Sequence, residues 1–208
     1  MRYFATFAGS RKKRTASAVS STAAACENFP AVPHVYGQNL TWTATVTTSG
    51  SITPTGKVNF TSNGVGIATA VLNASCVATV SKRFLNASTF PVTAVYTGDA
   101  SNLRSTSTPL TQVVLQATST ATISSSPNPS TQGQAVTFTV RITSPTVTPA
   151  GPVTFTSGKT VLGTAQLNGG KTTFSISTLP VGSDKITVTY YGNSNIAGSV
   201  ASLTQTVQ

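Results

Sequence analysis

The side chains able to do acid–base, nucleophilic or metal chemistry are few and far apart. His34 is the one histidine among 208 residues, the acids are Glu27, Asp99 and Asp184, and the cysteines are Cys26 and Cys76. A Ser-His-Asp device needs a carboxylate to orient the imidazole, and metal sites need clustered ligands. Here His34 lies in a Pro-rich connection and the acids are scattered along the chain. The expectation is a protein that is not an enzyme, with no catalytic residues, no cofactor and no metal. Asp99, in Tyr96-Thr97-Gly98-Asp99, reads as a turn residue bonded to its own backbone. Cys26 and Cys76 could close one disulfide in an oxidising compartment or stay two separate buried thiols.

Charge is the other reactive feature. Thirteen Lys and Arg against three acids give a formal charge of +10, although only 8% of residues are charged. Ordinary soluble domains carry roughly 25%; here Ser and Thr, about a third of the chain, supply the polarity instead. Five of the cations fall in residues 1–17, and Arg11, Lys12, Lys13 and Arg14 are consecutive. That run could meet phosphates, anionic lipid or an acidic surface polymer or glycan, and such attraction should vanish at high salt. No aromatic-interleaved groove accompanies it, so specific nucleic-acid recognition is not expected.

Around these residues the chain is written in period two. Leu40-Thr41-Trp42-Thr43-Ala44-Thr45-Val46 and Val136-Thr137-Phe138-Thr139-Val140 alternate apolar with hydroxyl side chains. Alternation with β-branched residues, punctuated by Gly, Pro and Asn, predicts short antiparallel strands buried on one face. Leu40, Trp42, Ala44 and Val46 should face inward, as should Val136, Phe138, Val140 and Ile142, with Val58, Phe60, Val153 and Phe155 covering them. Trp42 is thereby read as core rather than as a sugar-stacking platform. Tyr191 alternates with Tyr190 and is expected on the outside.

The chain also repeats itself. Thr53-Pro54-Thr55-Gly56-Lys57-Val58-Asn59-Phe60-Thr61-Ser62 returns as Thr148-Pro149-Ala150-Gly151-Pro152-Val153-Thr154-Phe155-Thr156-Ser157. Gly37-Gln38 answers Gly133-Gln134, Tyr96-Thr97-Gly98-Asp99 answers Tyr190-Tyr191-Gly192-Asn193, and Leu110-Thr111-Gln112 answers Leu203-Thr204-Gln205. The period is close to 95 residues. About seven short strands per copy suit two tandem immunoglobulin-like antiparallel β-sandwiches, an all-β fold. The expected division is 1–17, a basic arm or the tail of a preceding repeat; 18–116, the first domain; and 117–208, the second.

The series Ser125-Ser126-Pro127-Asn128-Pro129-Ser130, Gly133-Gln134, Pro149-Ala150-Gly151-Pro152-Val153-Thr154-Phe155, Leu179-Pro180-Val181-Gly182 and Tyr190-Tyr191-Gly192-Asn193 resembles the bacterial Ig-like repeat domains. The first copy departs from it, with Cys26-Glu27-Asn28-Phe29-Pro30 in place of the Ser-Pro-Asn-Pro-Ser stretch. The resemblance implies tandem arrays in secreted or surface-attached bacterial proteins, with a spacer or adhesive role and no catalytic residue.

The expected function is a non-enzymatic structural module at the cell surface or outside the cell, its partners neighbouring repeats or copies of itself. The alternatives are a glycan- or protein-binding adhesin, or a self-assembling subunit of a filament, sheath or virion. No apolar run approaches the ~20 residues that span a bilayer. The order of a secretory signal is reversed, Tyr3–Gly9 preceding the basic run.

Overall fold

The computed structural model describes residues 23–27, as backbone, and 33–208 apart from Phe84. The first repeat contains β1 (Ala23–Glu27), β2 (His34–Val35), β3 (Leu40–Val46), β4 (Lys57–Ser62), β5 (Val65–Val71), β6 (Val77–Lys82), β7 (Ser88–Tyr96), β8 (Ser105–Thr106) and β9 (Leu110–Leu115). The second contains β10 (Thr120–Ser126), β11 (Val136–Thr143), β12 (Gly151–Ser157), β13 (Thr160–Leu167), β14 (Lys171–Ile176), β15 (Gly182–Gly192) and β16 (Ala197–Val207).

Each repeat pairs a three-stranded sheet with a larger one. In the second repeat these run β10-β11-β14 and β13-β12-β15-β16. In the first they run β1-β3-β6 and β2-β9-β7-β4-β5, with β8 on β7. All the strand pairings described within these sheets are antiparallel except the short β2–β9 contact, His34 to Val114.

The alternation puts the apolar set where the period requires. Trp42, Phe60, Phe138, Val140, Val153 and Phe155 have no exposed surface, and Leu40, Ala44, Val46, Val58, Val136 and Ile142 are buried with them. Trp42 stacks on Phe60 at 6.4 Å between ring centroids, and Phe155 on Phe174 at 4.8 Å. The Phe174 ring lies so close to Gly163 that a Cβ there would sit 2.5 Å from it. Tyr190 is buried and Tyr191 is 74% exposed, as strand alternation demands.

Contacts divide the described residues into two compact units, 23–27, 41–80 and 91–111 in one, and 33–40, 81–90 and 112–208 in the other. The second unit thus takes in segments that lie before position 117. Within it, Arg83 Nε donates to the Gly37 carbonyl at 2.7 Å, and the Ala87 N–H donates to Asn195 Oδ1 at 2.8 Å.

Candidate functional site

The residues with the strongest electrostatic perturbation sit in one turn, built on the end of β7. Tyr96 closes the strand, and Gly98 follows with φ +79°. A Cβ at Gly98 would lie 2.9 Å from Arg104 N and Asn102 O, so only glycine fits. Asp99 Oδ1 then accepts the N–H groups of Ser101 and Asn102, both at 2.7 Å. Its Oδ2 accepts the Thr55 N–H at 2.8 Å and the Thr55 hydroxyl at 2.9 Å. The Asn102 side-chain amide donates to both carboxylate oxygens, at 3.2 and 3.1 Å.

The Tyr96 hydroxyl completes the cluster, donating toward Thr55 O at 2.7 Å and lying 3.1 Å from Asp99 Oδ2. Burial alone would raise the Asp99 pKa; the backbone N–H groups of Ser101, Thr55 and Asn102 and the Asn102 amide outweigh it and hold the carboxyl well below the usual range. Tyr96 moves the other way, to about 12, by burial first and then by its hydrogen bond to Asp99 and that carboxylate's charge.

The second repeat builds the same turn with a neutral amide. Gly192 has φ +71°, and Asn193 Oδ1 accepts the N–H groups of Asn195 at 2.8 Å and Ile196 at 3.0 Å. The Tyr190 hydroxyl donates to Ala150 O at 3.1 Å. An amide and a carboxylate share only their role as acceptors, so this cluster clamps the loops at the end of the sandwich. With its oxygens committed to N–H and O–H donors, Asp99 is spent on the turn rather than on a calcium ion.

A second device explains the Ser-Pro-Asn-Pro-Ser stretch. After β10 the chain leaves β11 and crosses to the free edge of β16. Pro127 and Pro129 have no N–H to offer that edge, and the Asn128 side chain supplies the missing groups. Its Nδ2 donates to Thr204 O at 2.8 Å, and its Oδ1 accepts the Thr206 N–H at 3.0 Å. Backbone bonds continue from Ser130 N to Thr206 O and from Gln208 N to Ser130 O, at 3.0 and 2.8 Å. Gln205, fully buried, pins the crossing by donating from Nε2 to Pro127 O at 3.0 Å. Sequence reading missed the functions of Asn128 and Gln205; the repeated Leu-Thr-Gln triplet was the available signal.

Among the described residues, those singled out from the sequence do not converge. Arg11, Lys12, Lys13 and Arg14 lie outside the described residues, as does the Cys26 side chain. Cys76 carries a free thiol, with Sγ 3.8 Å from Pro54 O. The Cys26 backbone pairs with Ala44 on β3, while Cys76 O accepts the Val46 N–H from the other side of that strand. One strand between them means two strand spacings, roughly 9.5 Å, where a disulfide spans about 4.4–6.8 Å between Cα atoms. His34 stands beside Val114, and Asp184 Oδ1 accepts from Ser157 Oγ at 3.0 Å. Among the described residues no three His, Cys, Asp or Glu side chains come together, and no helix is long and apolar enough to cross a membrane.

Fold and repeated closures define a tandem of immunoglobulin-like sandwich modules. The bacterial Ig-like domain (group 3) model matches residues 30–115 and 123–208, and the chain belongs to that family. No curated protein matches it in sequence. Among solved structures it is similar to the fibronectin(III)-like modules of Clostridium thermocellum CbhA, at 18% identity over 88% of this chain and 94% of that one, TM-score 0.39. It is also similar to the Yersinia pseudotuberculosis adhesin InvE, at 20% identity over 89% of this chain and 58% of that one, TM-score 0.43.

Proposed function

We propose that the chain is a non-enzymatic structural module, a folded spacer of a bacterial surface or secreted protein. The observation that carries this reading is where the repeated motifs go. Tyr96 and Asp99, Tyr190 and Asn193, and Asn128 and Gln205 all make hydrogen bonds that close the sandwiches. Membership of the bacterial Ig-like family supports it. The Arg11–Arg14 run serves in this reading as a salt-sensitive contact to an acidic surface polymer.

In the larger sheets, edge protection also favours a spacer over a self-assembling subunit. Strand addition needs an open, regular edge. The edge strands β5 and β13 each carry a bulge, at Ile67 and Leu162, residues skipped by the pairing to β4 and β12. The outer edge of β16 is occupied by Asn128 and Ser130.

Pulling the chain from its ends in a force spectrometer tests the spacer. Two separate unfolding events are expected, each releasing about 300 Å of contour at ~3.5 Å per residue, from a chain that light scattering shows to be monomeric. Extension without such events, or ordered polymers at working concentration, would overturn the proposal.

A further inference from the structure

The outward face of the β10-β11-β14 sheet carries an arrangement that the fold does not require. Arg141 on β11 and Lys171 on β14 are direct cross-strand partners. Directly opposite residues of an antiparallel pair point to the same face with Cβ atoms about 4.5–5.5 Å apart, and like charges placed so are destabilising. Both side chains are exposed. The acids whose side chains are described are Asp99, committed to its turn, and Asp184, on β15 of the other sheet. Neither offsets this pair.

The rest of the face is hydroxyl. Thr122 lies opposite Arg141 on the β10 side, and the next row across the three strands is Ser124, Thr139 and Thr173. None of these outward positions is aromatic, so bases would find nothing to stack on. In the first repeat the positions matching Arg141 and Lys171 are Thr45 and Val77. The same sheet therefore forms without the two cations, and no described acid lies against them.

We infer that this face, centred on Arg141 and Lys171, is a binding surface for an acidic polysaccharide. Arginine presents a planar fork that takes carboxylate or sulfate in two parallel hydrogen bonds, and lysine adds a point charge beside it. The Ser and Thr hydroxyls both donate and accept, which suits a polyhydroxylated chain lying across the strands. The spacer reading stands or falls separately, because a module that binds nothing would still give the two unfolding events.

The test uses the full chain with Arg11–Arg14 intact in every variant, so that the contribution of that run cancels. Polygalacturonate serves as the carboxylate probe, heparin as the sulfate probe, and single-stranded DNA as a polyanion lacking pyranose hydroxyls. Arg141→Thr with Lys171→Val installs the residues of the first repeat and is expected to weaken polysaccharide binding about tenfold. Lys185→Thr, on the other sheet, is expected to change it less than twofold. Arg141→Thr alone, expected to weaken binding about threefold, decides the matter if circular dichroism shows the double variant unfolded. Three outcomes would overturn the inference: no binding of either polysaccharide, equal losses in the double and Lys185 variants, or DNA bound as tightly as the polysaccharides and lost in parallel.

Discussion

Cys76 and Gly170 hold the same backbone position in the two repeats. Each has a positive φ, 60° and 75°, and each carbonyl oxygen accepts an N–H of the central strand of its three-stranded sheet, Val46 of β3 at 2.9 Å and Ile142 of β11 at 2.8 Å. A left-handed conformation costs an L-residue roughly 1–2 kcal/mol, and glycine avoids most of that while losing more entropy on folding. Cys76→Gly is therefore expected to stabilise the first repeat by up to about 1 kcal/mol, seen as a melting midpoint a few degrees higher. An unchanged or lower midpoint would show that the cysteine side chain compensates locally.

The same cysteine bears on covalent chemistry. With β3 between Cys26 and Cys76, both thiols should alkylate in the unfolded chain without prior reduction. Intact mass after iodoacetamide in denaturant is the measurement; a species two mass units light that takes up no label would establish a bridge instead.

Asp99 makes the first repeat sensitive to acid. Its folded pKa lies below the unfolded carboxylate value of about 3.9. The stability it contributes is thus fully present above that pH and lost as pH falls toward the folded value. Asp99→Asn, copying Asn193, is expected to cost stability at neutral pH and to flatten the acid limb. Denaturant melts at pH 7 and below 4 test this, and an acid limb as steep as before would reassign the proton uptake to another group.

Tyr96 acts at the opposite end of the scale. Its folded pKa is pushed up to about 12 against an ordinary value near 10. The stability linked to its protonated form is present below pH 10 and lost as pH rises through 12. Absorbance titration at 295 nm should show a late component that Tyr96→Phe reduces. Tyr190, raised by burial, should leave a late component in that variant.

Asn128→Ala would strip two hydrogen bonds from the edge of β16. A cost of about 1–3 kcal/mol is expected, at 0.5–1.5 kcal/mol per bond, together with faster hydrogen exchange at the Thr206 amide, whose acceptor is Asn128 Oδ1. Unchanged protection at Thr206 would mean that the backbone beyond Ser130 closes the edge without help.

Much of the architecture is legible in the linear chain because burial in a sheet follows a period of two. Alternation named the inward residues from Leu40 to Val46 and from Val136 to Ile142, separated Tyr190 from Tyr191, and placed Trp42 in the core. Self-similarity at about 95 residues then implied two copies, and hence the fold. Such signals need only near neighbours and repetition.

The end closures and the Arg141–Lys171 face depend on partners far along the chain. Thr55 meets Asp99 across 44 positions and Asn128 meets Thr204 across 76, contacts that no local pattern announces. Arg141 faces Lys171 only in the register that sets β11 against β14. A slip of one residue in that register would send the two side chains to opposite faces. Composition and alternation supply the strands and their cores. Turns, bulges and long-range hydrogen bonds set which strands meet and in what register, and so decide which charges share a face.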